Sequence, residues 1–243
     1  MGDENQDKRA LGILGGMGPE ATSLLFQLII HHTPARADQE HLPVFMANLP
    51  QIHDRTAAIL KQGPSPVPQV VQGLKWLEQT PAICVLIPCN TIFFFYPDFA
   101  KQTRLPIVHL MKTVALSLKS VAGGEKACIG VLATDGTRRT GLYESFLQEA
   151  GFRLVYPDPE RQAGLMEDIY AVKAGKRRMH GTIEAVQSVK KAGADFILLA
   201  CTELSILYDG INWEEPVLDA LRILADTAVK IGLGEKEPWE YVL

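Results

Sequence analysis

The fold is decided by a pattern that the chain carries twice, as Ile87-Pro88-Cys89-Asn90-Thr91 and as Leu199-Ala200-Cys201-Thr202-Glu203. In each copy an apolar run ends in a cysteine, and polar residues follow directly. The two cysteines lie 112 positions apart, and at a similar offset Gly12-Ile13-Leu14-Gly15 matches Gly130-Val131-Leu132-Ala133. Similarity that recurs at one spacing indicates a duplicated structural unit.

Around this pattern, short β-branched runs alternate with longer helical patterns, which is typical of parallel sheets with helices on their faces. The predicted strands are residues 11–14, 44–47, 83–87, 107–108, 127–132, 153–156, 196–199 and 217–218. The predicted helices are residues 20–32, 67–79, 95–102, 111–120, 141–150, 165–173, 179–192 and 220–231. The sequence therefore predicts an α/β fold of two pseudo-symmetric lobes, each a mostly parallel sheet flanked by helices, with the active site in the cleft between them.

The duplication also suggests boundaries along the chain. We assign residues 10–115 to an N-terminal lobe that carries Cys89, and residues 116–215 to a C-terminal lobe that carries Cys201. Residues 216–243 are expected to form a C-terminal strand and helix that can pack back on the N-terminal lobe.

The overall composition is that of a globular protein with a packed core, because 47% of its 243 residues are hydrophobic and 21% are charged. A net charge of −4 and scattered basic residues argue against nucleic-acid binding. Residues 1–9 are polar and lead directly into a strand, unlike a signal peptide, and polar residues interrupt the most apolar segments. We therefore expect a cytoplasmic protein with a small-molecule partner and no contact with nucleic acid or membrane.

The four cysteines form neither a disulfide framework nor a zinc pattern, since no C-x-x-C pair is present. Free thiols and no metal are expected. Cys84 falls inside a predicted strand and Cys128 near the start of another, which favours core packing for both. A lone cysteine at a strand end would be interpreted in the same way, but Cys89 and Cys201 have matched positions and polar successors.

The matched positions of Cys89 and Cys201 indicate a binding site, because ligands of parallel sheets bind beyond the carboxyl ends of the strands. Two lobes facing each other would place the two thiols on opposite sides of one ligand. Inverting a Cα centre requires one group to remove its proton and another to deliver a proton to the opposite face. A helix N-terminus after each cysteine is expected to draw its pKa toward neutrality. Asn90, Thr91 and Thr202 could hold an α-carboxylate there and stabilise the transition state.

These motifs resemble the aspartate/glutamate racemase superfamily, and its aspartate racemase branch most. The resemblance is carried by Leu11-Gly12-Ile13-Leu14-Gly15-Gly16-Met17-Gly18-Pro19-Glu20-Ala21-Thr22, Pro88-Cys89-Asn90-Thr91 and Ala200-Cys201-Thr202-Glu203-Leu204. Supporting matches in family order are Asp38-Gln39-Glu40-His41-Leu42-Pro43, Pro50-Gln51-Ile52-His53-Asp54-Arg55-Thr56, Leu132-Ala133-Thr134-Asp135-Gly136-Thr137 and Val172-Lys173-Ala174-Gly175.

The resemblance implies a homodimer that needs neither pyridoxal phosphate nor metal, with Cys89 and Cys201 as the acid and base. It implies that Arg55 binds the substrate's side-chain carboxylate, although an isolated arginine in a loop would more simply be a solvated charge. It identifies Lys173 as a second cation near the substrate, among further basic residues that could merely face water. The remaining substrate-binding candidates are Thr134 at a strand end, and Met17 and Gln51 within the family motifs.

Two positions depart from the family pattern. Ile92-Phe93 stands where Ala-His is common, which predicts a more apolar pocket without the help of that histidine, and His53 replaces a frequent proline. The turn Gly15-Gly16-Met17-Gly18 lacks the spacing and lysine of nucleotide loops. It is either an anion site at a helix start or a structural turn.

The leading hypothesis is interconversion of L- and D-aspartate, since Arg55 favours an acidic side chain. Glutamate, a broader set of amino acids or a hydantoin-like substrate would use the same two cysteines. Two other classes remain open at this point: a non-catalytic cleft-type amino-acid binding protein, and a decarboxylase or isomerase that needs only one thiol.

Overall fold

The computed structural model describes residues 8–121 and 127–243, so residues 1–7 of the polar N-terminal segment lie outside the described part. Two parallel sheets form its framework. The first has the order β2-β1-β3, with β1 at Leu11–Gly15, β2 at Val44–Asn48 and β3 at Val85–Leu86. The second has the order β5-β4-β6-β7, made of β4 at Cys128–Ala133, β5 at Arg153–Val155, β6 at Phe196–Ala200 and β7 at Val217–Asp219.

The two sheets repeat one arrangement. In each, the first strand (β1 or β4) lies between the next strand along the chain and the strand that leads to a cysteine. Gly12 of β1 is paired with Val85, and Gly130 of β4 is paired with Ile197. Two parallel sheets flanked by helices confirm the predicted fold class.

Helices cover the faces of both sheets. They are α1 at Pro19–His32, α2 at Arg55–Ile59, α3 at Val67–Leu77, α4 at Tyr96–Phe99, α5 at Leu110–Val121, α6 at Asp135–Arg139, α7 at Glu144–Glu149, α8 at Pro159–Lys173, α9 at His180–Lys191, α10 at Thr202–Leu207 and α11 at Ala220–Gly232. Short 3-10 turns at Asp38–Glu40, Thr91–Phe95, Ala100–Gln102, Tyr208–Gly210 and Pro238–Tyr241 connect them.

Several predicted boundaries were wrong for local reasons. The helix expected at 95–102 is divided into the 3-10 turn Thr91–Phe95, α4 and the 3-10 turn Ala100–Gln102. Pro97 lies in the first turn of α4, where its missing N–H costs no helical hydrogen bond. The helix expected at 141–150 begins only at Glu144, since Gly141 has a φ of 62°. Conversely, α8 begins at Pro159 rather than at 165, because Asp158 caps it by accepting the N–H of Arg161 at 3.0 Å.

The third predicted strand is also shorter than expected. Only Val85–Leu86 is strand, and the predicted strand at 107–108 is reduced to a single bridge between Ile107 and Val85. Three short helices, α2, α6 and α10, were not predicted from the sequence. Each of them follows a strand of one of the sheets.

The hydrophobic core runs through both lobes. One large cluster joins Leu14 and Val108 of the N-terminal half to Val131 and Leu198 of the second sheet, and a smaller cluster lies around Ile169. α5 passes through the position between residues 115 and 116 where the sequence placed a lobe boundary. α11 packs against α1 and α5, whereas β7 pairs with β6 in the second sheet.

No helix within residues 8–121 and 127–243 is long and apolar enough to cross a membrane.

Candidate active site

The two matched cysteines line one cavity between the lobes. Cys89 lies just beyond β3 and precedes the 3-10 turn Thr91–Phe95, while Cys201 follows β6 directly and is the N-cap of α10. Both are buried, with 5% and 4% of their surface exposed. The cavity measures about 20 Å³, which is room for about one water molecule. The pair therefore shares a small, nearly closed site at the carboxyl ends of equivalent strands.

Most residues that the sequence proposed for substrate binding line this same cavity. They are Met17, Arg55, Asn90, Thr91, Thr134, Lys173 and Thr202. Met17 lies two residues beyond β1 and Thr134 lies directly beyond β4, so both come from the carboxyl ends of equivalent strands.

Gln51 is the candidate that the structure places elsewhere. Its side chain is exposed, and its main-chain carbonyl accepts a hydrogen bond from Gln69 Nε2 at 2.9 Å. It belongs to a surface turn, and it lines neither this cavity nor the larger one beside it.

Arg55 is buried rather than solvated. It is the first residue of α2, whose N-cap Asp54 accepts the N–H of Ala57 at 2.7 Å. Its Nη2 donates to Met17 O at 2.9 Å, and its Nη1 donates to the carbonyls of Ile52 and His53 at 3.3 and 3.2 Å. Its Nε is buried without a partner, and no described carboxylate forms an ion pair with it. The guanidinium is thus held in place by carbonyl oxygens while its charge lacks a counter-ion within the described residues, a state that suits an incoming carboxylate.

Lys173 is the residue of its basic run that reaches the cavity. Arg177 pairs instead with Glu20, and Arg178 pairs with Glu167 and Asp168. Lys173 lies at the end of α8, and its Nζ donates to Glu203 Oε1 at 2.5 Å.

Glu203 links Lys173 to one of the cysteines. Its other oxygen, Oε2, accepts a hydrogen bond from Cys201 Sγ at 3.1 Å. Burial opposes the charge of Lys173, but Glu203 raises the pKa of that lysine. Glu203 was not among the predicted site residues, although its place two positions after Cys201 is visible in the repeated pattern.

The expected lowering of the cysteine pKa is wrong for Cys201. Burial raises the pKa of this thiol well above its ordinary value, Glu203 raises it further, and Lys173 opposes the rise. The helix that Cys201 caps has only six residues, and a carboxylate at hydrogen-bond distance outweighs so short a dipole. Burial and Glu203 therefore both favour the protonated form of the Cys201 thiol.

Polar groups from both lobes meet beside the cysteines. Asn90 Oδ1 accepts the hydroxyl of the buried Tyr143 at 2.5 Å, which leaves Asn90 Nδ2 buried without a partner at the cavity. The hydroxyl of Thr91 lies 2.9 Å from that of Thr134 and 3.0 Å from that of Thr137. Asn90 thus offers an unused donor, and the threonine hydroxyls join the lobes at the floor of the site.

The effect expected from Ile92-Phe93 is wrong, because neither side chain lines the cavity. Both are buried in the core, where the ring of Phe93 packs against His109 at 4.7 Å between centroids. The apolar wall comes from α8 instead, through Met166, Ile169 and Tyr170. These residues share one helix face with Lys173, because they recur every three or four positions along α8. This spacing is visible in the sequence but was not used to predict the wall of the pocket.

A larger cavity of about 410 Å³ adjoins the site. It is bordered by Gly18 and Pro19 at the start of α1, and it shares Met17, Arg55, Lys173 and Glu203 with the inner cavity. The ion pair of Lys173 and Glu203 therefore lies at the border between the two spaces. Across residues 8–121 and 127–243, no group of three or more histidine, cysteine, aspartate or glutamate side chains is arranged to hold a metal ion.

Known proteins resemble this chain in both sequence and fold. Residues 14–228 match the family described as Asp/Glu/Hydantoin racemase. The chain is 25% identical over 232 residues to the broad specificity amino-acid racemase RacX of Bacillus subtilis (strain 168), a match that covers 92% of this chain and 98% of that protein.

Two solved structures show the same fold. Picrophilus torridus aspartate racemase superposes with a TM-score of 0.80 at 29% identity, covering 97% of this chain and 100% of that one. A glutamate racemase from Bacillus anthracis gives a TM-score of 0.65 at 17% identity, covering 96% and 84% of the two chains, a likeness of fold alone.

Proposed function

The chain belongs to the Asp/Glu/hydantoin racemase family, and from that premise we propose that it interconverts L- and D-aspartate with Cys89 and Cys201 as paired acid and base. An amino-acid racemase is an isomerase that acts on a small substrate, so the cleft-type binding protein is no longer an alternative. The observation that carries the proposal is that both thiols line one cavity at the ends of equivalent strands.

The proposed reaction moves two protons and leaves the carbon skeleton unchanged. One cysteine, as thiolate, removes the Cα proton, so that a Cα–H bond breaks and an S–H bond forms. The other cysteine, as thiol, delivers its proton to the opposite face of the same carbon. Both thiols end with exchanged protonation states, and no pyridoxal phosphate or metal is required.

The carbanion that forms between these two steps needs stabilisation near the α-carboxylate. Asn90 Nδ2 is a buried donor without a partner among the residues that the structure describes, and Asn90 adjoins Cys89 at the cavity. The N-terminus of α10 begins at Cys201, and Thr202 also lines the cavity. Donors placed before the charge develops favour the transition state over the ground state.

Aspartate is favoured because Arg55 is a buried cation without a carboxylate partner among the described residues. A side-chain carboxylate would supply that partner and could accept two hydrogen bonds from one guanidinium. The similarity to Picrophilus torridus aspartate racemase, at 29% identity over nearly the full length of both chains, supports this choice.

A broader substrate range is the second candidate. Two basic side chains in the described part of the chain line the cavity. Lys173 is already paired with Glu203, whereas Arg55 has no carboxylate partner among the described residues. The wall of α8 is apolar at Met166 and Ile169, so a neutral side chain would find contacts there. The similarity to a broad specificity racemase of Bacillus subtilis supports this possibility, and glutamate is a further acidic candidate.

A substrate panel in D₂O separates these candidates. The protein, kept reduced, is incubated with single enantiomers of aspartate, glutamate, alanine and serine, while Cα deuteration is followed by NMR and inversion by chiral chromatography. We expect aspartate to be deuterated and inverted fastest. Comparable rates for alanine would establish the broad range instead, and no exchange with any amino acid would refute the racemase proposal.

The family resemblance also supports a homodimer. Light scattering is expected to give twice the chain mass of 26.7 kDa, and a mass of one chain would contradict this.

A further inference from the structure

We propose that Glu203 is a positioning residue that holds the thiol of Cys201 in its proton-donating form, with Lys173 fixing the carboxylate of Glu203. This inference rests on the proposed two-cysteine racemisation and adds a third residue and an asymmetry to it. The two thiols are then equivalent in position but not in their hydrogen-bond partners.

The geometry of Glu203 is specific to this role. Its carboxylate is buried, and each of its oxygens has a separate partner: Oε1 accepts from Lys173 Nζ at 2.5 Å and Oε2 accepts from Cys201 Sγ at 3.1 Å. It lies in the first turn of α10, two positions after the N-cap Cys201. On its other side the carboxylate lies beside Gly18, where a Cβ would be only 3.1 Å from Oε1, so the absence of a side chain at Gly18 makes room for the carboxylate.

Cys89 has no equivalent of this carboxylate. In the ranges 8–121 and 127–243, the Cys89 side chain makes no hydrogen bond, whereas the Cys201 thiol donates one to a charged acceptor. The residue two positions after Cys89 is Thr91, whose hydroxyl is engaged with Thr134 and Thr137. Of the two copies of the repeated pattern, only the copy around Cys201 therefore contains a carboxylate.

The charges around Cys201 come from several elements. Glu203 lies on α10, Lys173 on α8, and Asp54 and Arg55 at the start of α2, all at the same cavity. The titratable neighbours Cys89 and Tyr143 lie beyond β3 and before α7. Because the carboxylate is the acceptor of the thiol proton, loss of its charge weakens this hydrogen bond and removes the repulsion that disfavours the thiolate. Lys173 would then be left facing the thiol and would favour the thiolate further.

The variant Glu203→Gln tests this assignment because it keeps the size and one acceptor oxygen but removes the charge. The rate is measured from each enantiomer of aspartate. For the enantiomer whose Cα proton Cys89 removes, Cys201 is the donor, and kcat/KM falls at high pH when the Cys201 thiol loses its proton. We expect this basic limb to move to lower pH by about 1–3 units in Glu203→Gln, with little change in the acidic limb. Glu149→Gln, an exposed charge removal on α7, is the matched control and should leave the profile unchanged.

A structural role for Glu203 would give a different result. In that case kcat would fall evenly at all pH values and the basic limb would stay in place, which would overturn the proposal. Circular dichroism checks that the variant folds, and Glu203→Asp, which retains the charge, should have a basic limb closer to that of the wild type.

Thiolate absorbance in the free protein separates failure of this inference from failure of the racemase proposal. The titration of Cys201 is obtained as the difference between the wild type and Cys201→Ser, and again in the Glu203→Gln background. We expect the thiolate to appear at lower pH in that background whatever the substrate is. An unchanged titration in a protein that does racemise aspartate would overturn the role of Glu203 alone.

Discussion

Replacement of Arg55 by lysine tests what selects an acidic substrate. The guanidinium is fixed by the carbonyls of Met17, Ile52 and His53, and its charge has no carboxylate partner among the described residues. Lysine keeps the charge but not the planar fork that can donate two hydrogen bonds to one carboxylate. A hydrogen bond to a charged group contributes roughly 1.5–3 kcal/mol.

Loss of one such bond is expected to lower kcat/KM for aspartate roughly 10- to 150-fold, because about 1.4 kcal/mol corresponds to a factor of ten. Racemisation of alanine, which has no side-chain carboxylate, should change far less. The assay is the ratio of kcat/KM for aspartate to that for alanine, measured for the wild type, Arg55→Lys and the control Arg139→Lys, which changes an exposed residue at the end of α6. Equal losses for both substrates would refute the reasoning, since Arg55 would then bind a group that all amino acids share or would act on the fold alone.

Two further predictions concern stability and positioning. Burial and the nearby charge of Lys112 lower the pKa of His109 to about 4. As the pH falls, His109 therefore takes up its proton at a higher pH in the unfolded chain than in the folded protein. About 3 kcal/mol of the free energy of unfolding should be lost as the pH falls from about 6.5 to about 4. We expect the free energy of unfolding, measured with urea across this pH range, to fall in the wild type and in His31→Gln but not in His109→Gln. An equal dependence on pH in all three proteins would contradict the assignment. Tyr143→Phe removes the donor to Asn90 Oδ1, which should cost about 1–3 kcal/mol in urea unfolding and lower kcat by freeing the amide. Unchanged values of both quantities would argue against a role for this hydrogen bond.

The positions of the two cysteines could be predicted from the sequence because they depend on local order. An apolar run that ends in a cysteine fixes the thiol at the carboxyl end of its strand, and parallel strands bring such ends to one edge. Met17 and Thr134 came from the family motifs, and they lie beyond β1 and β4. Arg55 and Lys173 came from family resemblance, and the structure brings both to the cavity.

Residues whose role depends on neighbours distant in the chain were not predictable in this way. Glu203 gains its meaning from Lys173, which approaches from another helix, and Tyr143 reaches Asn90 across more than fifty positions. The direction of the Cys201 pKa was wrong for the same reason, since a local dipole was weighed without the buried carboxylate.

The apolar lining of the cavity was also not predictable from the order of residues along the chain. Ile92-Phe93 lies three and four positions after Cys89 in the chain, yet both side chains are buried in the core. The wall of the cavity is supplied instead by α8, from the other lobe. Gln51 lies in a family motif but on a surface turn, because a motif fixes the path of the backbone without directing every side chain in it.

The central claim is that Cys89 and Cys201 act together, and the most direct test is racemisation of aspartate in D₂O by the single variants Cys89→Ser and Cys201→Ser. Cys84→Ser is the matched control, since Cys84 is a buried thiol that does not line the cavity. Each active-site variant should lose roughly 10²- to 10⁴-fold of the racemisation rate, the contribution of one general acid or base, although one-sided Cα exchange could persist. Near-normal racemisation in either variant, with the control also active, would contradict the two-cysteine mechanism.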